Sequence, residues 1–107
     1  MDLLLKKCAA CDGGMSALQG MALERYLKEV KGWGVIDAKK IRKEFAFSNF
    51  TQALAFANKI GEIAETEDHH PDLQLSWGKV VVELWTHAIG GLSENDFILA
   101  AKIDAIN

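Results

Sequence analysis

The sequence predicts one α+β domain, in which a four-stranded antiparallel sheet carries three helices on one face in the order α-β-β-α-β-β-α. Three observations lead to this prediction. Three segments repeat apolar residues every three or four positions, as amphipathic helices do. Between them, two pairs of short segments alternate apolar and polar residues around tight turns, which is typical of β-hairpins. A chain of 107 residues is long enough for one hydrophobic core and too short for two.

The first helix and the first hairpin are predicted in the N-terminal half. A helical stripe of apolar side chains starts near Ser16 and continues to Val30. Residues 33–36 have the composition of a short strand that ends at the turn-like pair Asp37-Ala38. Residues 40–47 then alternate in polarity, so the two strands should pair as a hairpin.

The second helix has the clearest period in the sequence. Asn49 is a suitable N-terminal cap, and apolar residues recur from Phe50 to Ala64. Pro71 disfavours helical geometry at the residue before it, so the helix should stop at or just before His69. Its end carries negative charges where the helix dipole is already negative, with no evident structural gain. These charges belong to Glu65, Glu67 and Asp68.

The second hairpin is predicted over residues 73–77 and 80–86, on either side of a Gly78-Lys79 turn. One face of its second strand is apolar and should pack on the helices, and the opposite face leads to His87. The residues assigned to the helix-facing side are Val80, Val82 and Leu84.

The final helix should begin after Ser93, where the sequence resembles a capping box. From Phe97 to Ile106 the helix is apolar nearly all the way round. A single sheet cannot cover every side of such a helix, so we expect a contact between subunits.

Composition excludes several classes of function. The formal net charge is −3 and no stripe of Lys and Arg stands apart from the acidic residues, which argues against binding to nucleic acid through its phosphates. No apolar run approaches the length of a membrane span, and the first fifteen residues lack the features of a signal peptide. We therefore expect a cytoplasmic protein with no membrane contact.

Cys8 and Cys11 form one C-x-x-C in a segment, residues 1–14, that we predict to be a flexible arm before a domain at 15–107. Free thiols are the favoured interpretation in a reducing compartment. A redox motif would normally lie in a βαβ unit, which this sequence lacks. A structural zinc site needs four ligands, so it would require a second copy of the motif or histidines from elsewhere.

All three histidines lie near acidic residues: His69 and His70 follow the second helix, and His87 follows the last strand. Histidine titrates near neutral pH, so the group suits proton transfer or metal binding. Neighbouring residues such as His69 and His70 usually diverge, and no H-x-H or H-x-x-x-H spacing is present. We therefore predict general acid/base chemistry on an organic substrate, with no metal.

Structural roles compete with this interpretation. His69-His70-Pro71 would also serve as a polar helix end followed by a stop. His87 would also fit an exposed cross-strand position, and Asp96 would stabilise a helix start through capping alone. The tryptophans are more often core residues than ligand platforms, although an aromatic ring beside a histidine cluster could stack on a flat heterocycle.

The spacing of these residues resembles the signature of the pterin-4a-carbinolamine dehydratases. The pattern is Glu65, three residues, His69-His70-Pro71, five residues, Trp77, nine residues, His87, eight residues, Asp96. The resemblance runs from about Trp33 to the C-terminus and includes the predicted order of elements. The segment with the two cysteines lies outside it.

The resemblance implies dehydration of 4a-hydroxytetrahydropterin to quinonoid dihydropterin, without a metal or organic cofactor, for an aromatic amino-acid hydroxylase such as phenylalanine hydroxylase. It also implies a homodimer or homotetramer. His69, His70 and His87 would be the acid/base residues and Glu65 and Asp96 the supporting carboxylates. The substrate contacts would be Asp68, Pro71, Thr86 and Ala88. The alternatives are a non-enzymatic dimerisation partner of a regulatory protein, and a relative that acts on molybdopterin-type compounds.

Overall fold

The computed structural model describes residues 2–9 and 16–107. Within them, one four-stranded antiparallel sheet has the strand order β1-β2-β4-β3, and three helices lie on it. The predicted fold class and the order α-β-β-α-β-β-α are confirmed. The elements are α1 (Gly20–Leu27), β1 (Gly34–Ile36), β2 (Lys40–Ala46), α2 (Phe50–Glu67), β3 (Asp72–Ser76), β4 (Lys79–Leu84) and α3 (Glu94–Ala105), with short 3-10 turns at Leu3–Leu5 and His87–Ile89.

The sheet is centred on β2 and β4, which come from different hairpins. Their register pairs Ile41 with Leu84 and Phe45 with Val80, and all four side chains are buried against the helices. Because facing residues of an antiparallel pair point to the same side, this register sets one apolar face. The helix-facing assignment of Val80 and its alternate neighbours is confirmed by their complete burial.

The long helix α2 closes the core over this face. Asn49 caps it by accepting a hydrogen bond from the Gln52 amide at 2.9 Å. The ring of Phe56 lies 4.8 Å from Phe45 and 5.1 Å from Phe47, measured between centroids. These tilted aromatic contacts fix α2 along the sheet, so the end of the helix arrives at a defined position.

The final helix is covered within one chain. Residues 95–100 and Ile103 are buried, because α3 packs against α2, against α1 and against the 3-10 turn at Leu3–Leu5. The reason that we gave for a subunit contact was therefore wrong: sequence periodicity did not reveal that the N-terminal segment covers the outer side of this helix. Homo-oligomerisation stays a prediction from the family resemblance.

The segment predicted as a flexible arm has contacts over residues 2–9, which we call the docked arm. Leu3 is buried in the core, and the Lys6 ammonium lies 2.9 Å from Glu94 Oε2. Cys11 lies outside the described residues, and the boundary at residue 14 stays a prediction. Across residues 2–9 and 16–107, no helix is both long enough and apolar enough to cross a membrane.

Candidate active site

Three ends of the fold meet at one cleft: the end of α2, the end of β4 and the start of α3. The cleft has a volume of about 310 Å³. Its walls include all three histidines of the chain. The lining residues are Ala9, Asp68, His69, His70, Trp85, Thr86, His87, Ala88 and Asn95.

The end of α2 separates the two adjacent histidines. Asp68 takes a left-handed conformation, with φ of 51°, and its amide and that of His69 both donate to the Ala64 carbonyl. This reversal of the backbone is one that Asp tolerates better than most side chains. His69 then turns inwards, with its side chain 11% exposed, whereas the His70 side chain is 53% exposed. The expected divergence of the pair is what the chain shows.

His69 is held by a buried carboxylate. Its Nε2 lies 2.7 Å from Asp96 Oδ1, and Asp96 is fully buried. The other oxygen, Asp96 Oδ2, accepts hydrogen bonds of 2.9 Å from the Thr86 hydroxyl and from the Ser93 amide. Carboxylate oxygens accept hydrogen bonds, so we assign Nε2 of His69 as the nitrogen that carries the proton. With Nε2–H donating to Asp96, Nδ1 of His69 is the nitrogen with a free lone pair.

Asp96 therefore combines two roles that sequence analysis treated as alternatives. Its bond from the Ser93 amide is half of a capping box at the start of α3. The same carboxylate orients His69, so a helix cap and a histidine anchor are one side chain.

His70 forms its contact on the rim. Its Nε2 hydrogen-bonds Glu65 Oε2, one turn earlier on α2, and both side chains are largely exposed. The Glu65 charge at the end of the helix thus has a partner in the histidine five residues later.

His87 lines the same cleft from the turn that follows β4. We call the segment from Trp85 to His87 one wall of the cleft, and the end of α2 with His69 the other. The last strand ends at Leu84, two residues earlier than predicted, and His87 begins a 3-10 turn. Its exposed ring packs on Trp85 with centroids 4.1 Å apart and planes tilted by 42°. Trp85 is fixed in turn, because its indole N–H donates to Asp72 Oδ2 at 3.0 Å. In the part of the chain that the structure describes, no side chain hydrogen-bonds to the His87 ring.

A partly buried ion pair joins the end of α2 to α3. Lys102 Nζ is 2.9 Å from Glu67 Oε2, and Glu67 Oε1 accepts from the Cys8 amide at 2.9 Å. These two hydrogen bonds lower the pKa of Glu67. Burial and the nearby Glu67 charge raise the pKa of the Cys8 thiol to about 12, so it is protonated at neutral pH and a poor nucleophile.

Most of the predicted site residues gather here. Asp68, Thr86 and Ala88 line the cleft beside the histidines, and Glu65 and Asp96 reach it through the bonds that they form. Pro71 is not among the lining residues. Trp77, which belongs to the signature, follows the far end of β3 and is 68% exposed.

Sequence analysis missed three of the lining residues. Trp85 was weighed as a platform for a flat heterocycle, but the core interpretation of the tryptophans was preferred, so it was left out of the predicted site. Asn95 lies next to Asp96 without any signal of its own. Ala9 comes from a segment with no periodic pattern, and only the tertiary fold brings it to the cleft.

A larger cavity, of about 480 Å³, lies between the docked arm and α3. Two of its charged residues pair with each other, since Lys43 Nζ is 2.8 Å from Asp104 Oδ1 and also 2.8 Å from the Lys31 carbonyl. No histidine lines it, so the smaller cleft is the candidate site. Within residues 2–9 and 16–107, no group of three or more His, Cys, Asp and Glu side chains is arranged to hold a metal ion.

Comparison with known proteins shows the family to which the chain belongs. The sequence profile of the family described as pterin 4 alpha carbinolamine dehydratase matches residues 16–106. The chain belongs to this family. It is therefore a dehydratase, a lyase by class.

Two similar proteins have been assigned, provisionally, as pterin-4-alpha-carbinolamine dehydratases. The chain is 44% identical to one from Rubrobacter xylanophilus, over 98% of both chains. It is 50% identical to one from Rickettsia canadensis, over 94% of this chain and 93% of that one.

Two solved structures share the dehydratase fold. A transcriptional coactivator/pterin dehydratase from Brucella melitensis matches with a TM-score of 0.80 at 32% identity, over 85% of this chain and 98% of that one. A pterin dehydratase-like protein described as a RuBisCO assembly factor in the alpha-carboxysome matches with a TM-score of 0.61 at 25% identity, over 70% and 88% of the two chains.

Proposed function

We propose that the protein dehydrates 4a-hydroxytetrahydropterin to quinonoid dihydropterin and water, by acid/base catalysis from its histidines. The observation that carries this proposal is the single cleft lined by His69, His70 and His87, in which His69 is anchored to a buried carboxylate. Family membership supplies the class of substrate.

The reaction needs one proton delivered and one removed. The bond between C4a and the hydroxyl oxygen breaks, and a proton must reach that oxygen for water to leave. The N5–H bond breaks as well, and its electron pair forms the C4a=N5 double bond. Histidines that line one cleft can carry out both transfers near neutral pH, and each such transfer contributes about 10²- to 10⁴-fold to the rate.

His69 is the proposed base for N5–H. Its Nδ1 has the free lone pair, and the Asp96 carboxylate compensates the charge that the ring gains when it takes the proton. Thr86 and Ser93 hold Asp96 in place, so the base keeps its orientation through the reaction.

His87 is the proposed acid for the departing hydroxyl. Its ring is exposed and packs against Trp85, which holds it at the cleft. An exposed ring can also regain a proton from water after each turnover. His70, with Glu65, is the proposed binder and secondary acid/base residue at the rim.

The remaining predicted contacts are proposed to hold the pterin ring. Asp68, Thr86 and Ala88 border the cleft from two sides, which suits a flat heterocycle with hydrogen-bonding edges. Pro71 is proposed to act indirectly, by fixing the direction of the backbone after His70. No metal or organic cofactor has a step in this reaction scheme.

In the cell, we propose that the protein recycles the pterin used by an aromatic amino-acid hydroxylase such as phenylalanine hydroxylase, in the cytoplasm, as a homodimer or homotetramer. The outer edge of β3 supports a subunit contact. Among the described residues no strand pairs with that edge, and Leu73, Leu75 and Trp77 are exposed along it.

The experiment generates 4a-hydroxytetrahydropterin with a phenylalanine hydroxylase and follows the decay of its ultraviolet absorbance. The proposal expects the wild-type protein to accelerate this decay above the spontaneous rate, in proportion to its concentration. A decay rate that stays spontaneous at every protein concentration would overturn it.

A second candidate function is that of a regulatory protein partner. The solved relative from Brucella melitensis is named a coactivator as well as a dehydratase, and the exposed edge of β3 offers an apolar surface. A Trp77→Ser variant that keeps full dehydratase activity but loses a partner would favour this second role. A molybdopterin-type substrate would instead be indicated if such a compound competes for the cleft.

A further inference from the structure

The docked arm ends at the wall of the candidate site. Ala9, its last described residue, lines the cleft beside Asn95. The Ala9 amide donates to Asn95 Oδ1 at 2.9 Å, and Asn95 Nδ2 donates to the Ala9 carbonyl at 2.7 Å. A side-chain amide that pairs with both sides of one residue fixes that residue's position and orientation.

The attachment continues along the arm. The Cys8 amide is bonded to Glu67, which Lys102 holds in turn, and Lys6 is bonded to Glu94. Hydrogen bonds to charged groups are stronger than those between neutral groups. The arm is thus held at three successive points, although 86 residues separate Ala9 from Asn95.

Two of these points lie close in the sequence to His69 and to its anchor Asp96. Glu67 is two residues before His69, and Asn95 directly precedes Asp96. A displaced arm would remove Ala9 from the cleft wall, whereas the bond between His69 and Asp96 is made by side chains outside the arm.

From these contacts we propose that the arm is part of the substrate-binding wall: Ala9 faces the pterin and limits the room there, and Asn95 is the residue that positions it. This inference rests on the proposed function. All of the Ala9 bonds use its backbone, so its exposed methyl group remains directed to the surroundings. A small side chain here leaves space that a large one would fill.

The first test changes the size of the wall and keeps its attachment. Ala9→Phe should weaken the binding of 7,8-dihydrobiopterin, measured by quenching of tryptophan fluorescence, by about tenfold or more, a difference of 1.4 kcal/mol. Ala9→Ser adds one atom and should weaken binding far less than Ala9→Phe. Leu5→Phe, which places the same ring at an exposed arm residue outside the cleft, should bind within about twofold of wild type. Unchanged melting temperatures would show that both Ala9 variants fold. Equal binding by Ala9→Phe and wild type would overturn the proposal.

The second test frees the docked arm from its attachment at Asn95. In a Cys11→Ser background, Asn95→Ala should speed alkylation of Cys8 and raise KM several-fold, while kcat stays close to wild type. Asn95→Asp keeps the acceptor for the Ala9 amide and loses the donor to the Ala9 carbonyl. Its alkylation rate and its KM should therefore lie between those of wild type and Asn95→Ala. Faster alkylation with unchanged KM would overturn the proposal, and so would an Asn95→Ala variant that changes neither quantity.

The outcomes separate this inference from the function on which it rests. A wild-type protein that neither binds the pterin nor dehydrates the substrate refutes both. A wild-type protein that does both, with an Ala9→Phe variant that behaves identically, refutes the role of the arm alone.

Discussion

The two walls of the cleft differ in how they hold their histidines. His69 is mostly buried, and its carboxylate partner is bonded to two further groups. His87 is exposed and is in contact with one aromatic ring that is itself fixed at its far side. The first arrangement suits a group that must keep its orientation while its charge changes, and the second suits a group that exchanges protons with water. Two residues of the same type can thus be given different roles by their surroundings.

The largest expected effect comes from removing either histidine. His69→Ala and His87→Ala should each lower turnover by about 10²-fold or more, because each removes one proton transfer. They should differ in stability: His69→Ala leaves Asp96 Oδ1 without its partner and should lower the melting temperature, whereas His87→Ala should not. Stopped-flow absorbance and thermal unfolding measure the two quantities.

Equal melting temperatures for these variants would break the comparison between the walls. Unchanged turnover in His87→Ala would show that our assignment of roles is wrong. Cys8→Ser, whose thiol lies outside the proposed chemistry, should leave turnover unchanged and serves as the matched control.

The next effect in size is expected from Asp96→Asn. In this variant the amide oxygen can still accept from Thr86 and Ser93, but the NH₂ group faces His69 Nε2, so His69 must move its proton to Nδ1. Bonds to a neutral amide replace bonds to a charged carboxylate, at a cost of about 1–3 kcal/mol. For a domain of this size the melting temperature should fall by roughly 4–8 °C per kcal/mol. Turnover should fall as well, because Nδ1 of His69 then carries a proton and has no free lone pair.

A Ser93→Ala variant provides the comparison for this prediction. It keeps the amide that donates to Asp96 and removes the hydroxyl contact with Thr86, so it should affect stability more than turnover. Wild-type activity in Asp96→Asn would contradict the proposed anchoring of His69.

A smaller effect is expected on the other wall. Trp85→Phe keeps a ring beside His87 but loses the bond to Asp72, so turnover should fall only a few-fold. Trp85→Ala removes the ring itself, so turnover should fall further than in Trp85→Phe, with most of the change in kcat. Identical kinetics for the two variants would rule out a role for the ring.

The smallest effect concerns stability in acid. The pKa of Glu67 is lowered in the folded protein by Lys102 and the Cys8 amide, so its ionisation contributes stability above the unfolded pKa, near 4.5. That contribution is lost as the pH falls through the lower, folded value. Glu67→Gln should therefore be less stable than wild type at pH 7, and the difference should shrink below about pH 4. Urea unfolding at several pH values measures it, and a difference that grows in acid would contradict the assignment.

Sequence analysis predicted the elements better than it predicted their surroundings. Apolar periodicity and turn residues located both hairpins and α2, because these signals are local. Because α3 is apolar nearly all the way round, we interpreted part of its surface as a subunit contact. The segment around Leu3 covers this helix instead, and its sequence has no pattern that ties it to α3. The charges at the end of α2 looked unexplained because Lys102 and His70, which pair with Glu67 and Glu65, are partners only after folding or reversal of the chain.

Local sequence signals were also insufficient to predict the contacts of the candidate site. Spacing was enough to single out His69, His70, His87 and Asp96, whereas the division of labour between the two walls depends on burial and on contacts. Ala9 and Asn95 show this most clearly, because a clamp across 86 residues leaves no trace in local sequence.

The most direct test of the central claim is stopped-flow decay of 4a-hydroxytetrahydropterin with wild type beside a His69→Ala/His87→Ala double variant. We expect acceleration by the wild type and a spontaneous rate with the double variant, at matched folded concentrations. Equal acceleration by both proteins would contradict the claim that the histidines on the two walls of this cleft carry the chemistry.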